Sequence, residues 1–145
     1  MNASHPIRKV VAAGLSVAAL VLAGCAGMPF DHNVNVVLRG SEEVPFVATS
    51  ARGGGTIMIA ADKSVSGSVT TTGLSAVAAH IHLGARGQNG PISLGLVKSG
   101  GNAWSVPAGA KLTDAQYDAF RAGSLYVNVH TPANKGGEIR GQLNP

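Results

Sequence analysis

From Val34 onward the chain alternates in short β-like segments. In "VNVVLR", Val34, Val36 and Leu38 are separated by Asn35 and Val37 and followed by Arg39. That period of two gives a strand one apolar face. A turn-like "GSEEVP" follows. "GGGTIMIAA" and "SGSVTTTGL" flank the turn "DKSV" and read as a β-hairpin. "VAAHIHLG" is the next strand, and "ARGQNGP" is a loop with three turn signals. "ISLGLV" and "AWSVP" are short strands around the turn "KSGGN". "SLYVNVH", the loop "TPANKGG" and "EIRGQL" form a final hairpin.

One segment is helical. Thr113 and Gln116 have capping-box spacing, with Leu112 and Tyr117 in the two staple positions. Tyr117 and Phe120 share a side, and Gly123 stands where a helix ends. The helix is expected near 114–122. Many short strands, frequent turns and one short helix predict a mainly β fold. The expected architecture is a Greek-key β-sandwich or barrel of about seven or eight antiparallel strands, forming one domain over 34–145.

The final hairpin sharpens this reading. Centred on Asn134, its simplest register sets His130 opposite Glu138, Asn128 opposite Arg140 and Tyr126 opposite Gln142. These six share a polar face, while Leu125, Val127, Val129, Ile139 and Leu143 share the core-facing one.

The first 33 residues follow a different pattern. Arg8 and Lys9 precede the apolar run "VVAAGLSVAALVLAGC", which has the form of a secretory signal rather than a spanning helix. Leu22-Ala23-Gly24-Cys25 resembles a bacterial lipobox, which implies a signal peptide over 1–24 and lipidation of Cys25. Cys25 is the only cysteine, so no disulfide forms within the chain. Residues 25–33 are expected to tether the domain to the membrane. Ala26 in place of an aspartate directs the expectation to the outer membrane, facing the periplasm or the cell surface. Arg8 and Lys9 also account for two of the four excess positive charges of the whole chain. The remainder is nearly neutral and poor in aromatics, which argues against a nucleic-acid partner.

The chemistry concentrates in "AHIHLG". On a strand, His80 and His82 point to one side. If this strand neighbours the final hairpin, His130 joins them as a third imidazole, and imidazoles are common ligands of copper and zinc. Glu138 is then expected to accept the second ring N–H of His130. Alternatively Arg140 pairs with Glu138, or Asn128, His130, Glu138 and Arg140 form a hydrogen-bonding network that holds the hairpin. In that case the face contacts protein or polysaccharide and holds no metal. His32 in the tether and Met58 in "TIMIA" are weaker ligand candidates. Gly84, Gly87 and Gly90 lack the Gly-Lys-Ser/Thr of a phosphate loop and read as turn residues. Neither a Gly-x-Ser-x-Gly elbow nor a thiol outside the lipobox is present to serve a hydrolase.

"AAHIHLGARGQNGPISLGL", "GSLYVNVHTPANKGGEIRGQL" and the helix segment "LTDAQYDAFRAG" closely resemble the CHRD domain over roughly Asn35 to Leu143. That family, first described in chordin and widespread in bacterial secreted proteins, implies an extracellular β-rich module of about this length; the expected role here is binding, with no enzymatic activity. A looser similarity is to Cu/Zn superoxide dismutase, also a Greek-key β-sandwich with an H-x-H pair. By that analogy His80, His82 and His130 resemble copper ligands. The chain lacks that family's zinc loop and structural disulfide, which argues against dismutase activity. The combined expectation is a lipid-anchored binding protein of the cell envelope holding copper or zinc through His80, His82 and His130.

Overall fold

The structure is a computed structural model that describes Met1 and residues 31–145. The signal sequence, the lipobox and Cys25 lie outside the described residues. Among the described residues, nine antiparallel strands form one sheet: β1 (His32–Arg39), β2 (Arg52–Ile59), β3 (Val65–Thr72), β4 (Ala78–Leu83), β5 (Ile92–Gly95), β6 (Val97–Lys98), β7 (Ala103–Ser105), β8 (Leu125–His130) and β9 (Ile139–Leu143). Their order is β5-β4-β8-β9-β1-β2-β3-β7-β6.

The two edge strands, β5 and β6, are consecutive in sequence and joined by Leu96 alone. The sheet therefore curls until its edges meet, and a mainly β, nearly closed barrel results. The expected single strand "ISLGLV" is two strands for the same reason. Leu96 is buried and donates its N–H to the Ala79 carbonyl, so the chain passes from the β4 side of the barrel to the β7 side there. The count is nine rather than seven or eight.

Alternation along the strands fills the barrel. Val34, Val36 and Leu38 of β1 point inward with Ile57, Ile59, Val69, Ile81, Val127, Val129 and Ile139. Burying each such side chain stabilises the fold by roughly 1.5–3 kcal/mol before entropy is counted. The helix α1 (Asp114–Arg121) packs the fully buried Phe120 into this core. Both halves of its capping box are made, Gln116 N–H to Thr113 Oγ1 and Thr113 N–H to Gln116 Oε1. Gly123 ends it in the left-handed region, at φ +67°.

The final hairpin takes the expected register, with Tyr126 opposite Gln142 and Asn128 opposite Arg140. Gly141 makes the adjoining β1–β9 contact possible. A Cβ there would lie 2.3 Å from the Val37 carbonyl oxygen. The first strand begins at His32, so the last two residues of the expected tether are strand. None of the helices among the described residues is long and apolar enough to cross a membrane.

Candidate functional site

The outer side of β4, β8 and β9 departs from the expected picture. Polar residues do gather there, but the face is not a solvent-facing one. Tyr126, Asn128, Arg140 and Gln142 are all buried. Two connections cover them, the 84–91 loop and the segment around a 3₁₀ turn at Gly40–Glu42.

The covering loops satisfy this layer with backbone groups. Gln142 donates to the carbonyls of Gly84 and Gly123, each at 2.8 Å. Arg140 donates to the Ala85 carbonyl at 3.0 Å and to Asn89 Oδ1 at 3.3 Å. Its guanidinium lies 3.5 Å from the centroid of the Tyr126 ring, a cation–π contact. Asn128 Nδ2 donates to both oxygens of Glu43, at 2.9 and 3.0 Å. Burial pushes the Glu43 carboxyl up to about 7, against the opposing pull of Asn128 and Arg140. Gly137, at φ +132°, lets the backbone pass this pair, since a Cβ there would come within 2.4 Å of Asn128.

Arg140 therefore does not pair with Glu138. Asn128, His130, Glu138 and Arg140 form no network among themselves either: Asn128 turns to Glu43, Arg140 to Ala85 and Asn89, and His130 and Glu138 to different residues of the 131–138 loop. Glu138 does not reach His130. Three donors hold its carboxylate: Thr131 Oγ1 at 2.7 Å, Thr49 Oγ1 at 2.9 Å and Asn134 Nδ2 at 3.1 Å. The Thr131 hydroxyl is the chief cause that holds this carboxyl below its ordinary value.

The three histidines do meet. Strand β4 pairs with β8 so that His82 is opposite Tyr126, His80 opposite Asn128 and Ala78 opposite His130. His80 is thus diagonal to His130 on one face, a separation that aromatic side chains span. The pairing of β4 with β5 shifts register at Ile81/His82, while its pairing with β8 stays regular and keeps His80 and His82 on one face, His82 buried there. One ligand-capable nitrogen from each of His80, His82 and His130 lies within 4.8 Å of the others.

Hydrogen bonds decide which ring nitrogens carry lone pairs. His130 Nδ1 is 3.0 Å from the Lys135 carbonyl, which only an N–H can satisfy. Its Nε2 is then an acceptor, and His80 Nδ1 approaches it at 2.9 Å as donor. His82 Nδ1 donates to the Gly90 carbonyl at 3.0 Å. Its Nε2 is left as a buried lone pair with no partner among the described residues. Backbone carbonyls thus perform the orienting role expected of Glu138. Burial, reinforced by the neighbouring imidazoles, holds His80 below its ordinary value. Burial does the same for His82, against the Gly90 carbonyl. Both rings are therefore neutral near pH 7, the form that binds metal.

A tetrahedral ion with Zn–N bonds near 2.0–2.1 Å needs ligand nitrogens roughly 3.3–3.4 Å apart. The triad's nitrogens, all within 4.8 Å of one another, lie near but outside that spacing at their widest. Behind it, the His82 ring stacks on Tyr126 at 5.0 Å and 9°, and Arg140 lies against the same tyrosine. His32 is not part of this group, since its ring packs edge-on against Phe120 at 5.4 Å. Met58 lies half-buried on β2, which β8, β9 and β1 separate from β4.

Sequence reasoning missed Glu43, the carbonyls of Gly90 and Lys135, and the loop that covers Arg140. "GARGQNG" was legible as a turn but carries no signal for which side chains its carbonyls will meet.

A family model, that of the CHRD domain, matches residues 34–143, and the chain belongs to this family. No curated protein and no solved structure matches the chain.

Proposed function

From this membership of the CHRD domain family, we propose an extracytoplasmic, non-enzymatic binding protein that is lipid-anchored through Cys25 and holds copper or zinc through His80, His82 and His130. The observation that carries the metal reading is the convergence of three imidazoles in which the His82 Nε2 lone pair is buried and unpartnered. A buried acceptor without a donor is costly, on the order of 1–3 kcal/mol. A cation at this point satisfies it. The neutral state of His80 and His82 supports the same reading, as do the carbonyls that orient His82 and His130. His80 gives up its hydrogen bond to His130 when the ion enters. The basic and apolar leader ahead of Cys25 supports the anchored, envelope location.

Copper and zinc titrations of the purified protein test this beside the His80→Ala/His82→Ala/His130→Ala variant. Circular dichroism checks that the variant is folded. One ion per wild-type chain, absent from a folded variant, is the expected result. Equal uptake by both would overturn it. For the anchor, Cys25→Ser is expected to leave the membrane fraction, and the mature wild-type N-terminus is expected to carry acyl mass.

One observation favours a second reading. The 2.9 Å contact gives His80 Nδ1 and His130 Nε2 a partner in each other, which suits a structural face that contacts protein or polysaccharide. A folded wild type that takes no metal selects that reading.

A further inference from the structure

The triad borders a groove. His80 and His130 line a groove of about 520 Å³ together with Val77, Ile92, Pro132 and Lys135. His82 is not among its lining residues and is itself buried. The groove walls are apolar where solvent-facing residues are ordinarily polar. Val77 is 60% exposed and Ile92 57%, and neither belongs to the core cluster. Among the described residues no carboxylate lines the groove. Its only lysine, Lys135, has no ion-pair partner among the described residues.

We propose that this groove binds a small anion with an apolar body, of the aryl carboxylate class, and that its carboxylate takes the open position on the triad's metal. The proposal rests on the metal reading above. Imidazole is uncharged when it coordinates, so three such ligands leave the full double charge on a divalent ion, and three protein ligands leave a fourth position open. Charge complementarity therefore selects an anion there, and Lys135 adds a second positive charge at the margin. Val77, Ile92 and Pro132 offer the surface against which a ring loses its contact with water. A site with one apolar wall and a few convergent polar groups is the usual form of a small-molecule site.

Calorimetric titration of the zinc-loaded protein with benzoate and with acetate tests the proposal. Zinc content is measured first. The expected result is benzoate binding at least about tenfold tighter than acetate, as burial of a ring implies. Val77→Ser/Ile92→Ser is expected to reduce benzoate to the level of acetate without changing zinc uptake, and Lys135→Gln to weaken both anions. Stoichiometric zinc with no preference for benzoate overturns the groove assignment and leaves the metal site standing. Absence of zinc uptake overturns both. Equal benzoate affinity with and without zinc overturns the placement of the carboxylate on the metal. If the wild type self-associates and Val77→Ser/Ile92→Ser makes it monomeric, the occupant is a second copy of the chain and the proposal falls.

Discussion

Ile81, Val127, Val129 and Ile139 line the inner face of β4, β8 and β9, entirely among apolar side chains. Tyr126, Asn128, Arg140 and Gln142 stand on the outer face of β8 and β9 and are also buried, but among carbonyls, amides and a carboxylate. The inner layer is held by a non-directional force, so any well-fitting apolar side chain serves. The outer layer is directional, because each donor needs a particular acceptor at a particular place. Two of the three buried polar atoms that lack partners among the described residues, His82 Nε2 and Asn128 Oδ1, belong to the outer layer. A layer built from specific partners is also where unfilled valence can be held for a ligand.

Substitutions on opposite faces of the same strands sharpen this contrast. The largest effect is expected from Ile81→Ala, which leaves a cavity in the apolar core, on the face opposite the two β4 histidines. It should cost about 2–5 kcal/mol in urea unfolding, while the folded protein keeps its zinc stoichiometry. Loss of zinc at unchanged stability would invert the assignment of the faces. Asn128→Ala comes next. It strips the Glu43 carboxylate of its buried donor and should cost about 1–3 kcal/mol near neutral pH. The penalty shrinks in acid, where Glu43 is protonated.

Glu43→Gln separates charge from shape. The Glu43 carboxyl is raised from 4.5 to about 7 in the folded chain, so the native state holds its proton longer than the unfolded state does. The stability it contributes is fully present below pH 4.5 and is lost as pH rises through 7. His80 and His82 act in the opposite sense. Their folded values are lowered, so their contribution is present above the ordinary value of 6.5 and is lost as pH falls. The midpoint of Glu43→Gln relative to wild type should therefore rise between about pH 5 and pH 8. A difference that does not vary with pH would remove Glu43 from the buried layer. The smallest effect is expected from Lys63→Ala, which breaks the exposed pair with Asp114 and should leave the thermal midpoint unchanged within error.

The hairpin register was readable before any coordinates, because apolar and polar positions match on both strands about Asn134. Thr113 and Gln116 announced the helix start in the same local way. The closure through Leu96 was not readable, since a single residue inside "ISLGLV" carries no mark that it changes neighbours. The partners of Glu138 were misassigned because the loop folds Thr131 and Asn134 back onto it, and Thr49 joins them from 89 residues away.

The sequence by itself determined the strand pattern, the apolar face of each strand, the capped helix and the histidines that share one side of β4. All of these follow from backbone periodicity and from contacts within a few residues. Only the tertiary structure decided that the polar face is buried, that Glu43 meets Asn128 and that the carbonyls of Gly90 and Lys135 orient the imidazoles. Hydrogen bonds need their partners within about 3 Å. Glu43 comes from 85 residues away, and even the nearby carbonyls of Gly90 and Lys135 reach their histidines only through the path their loops take.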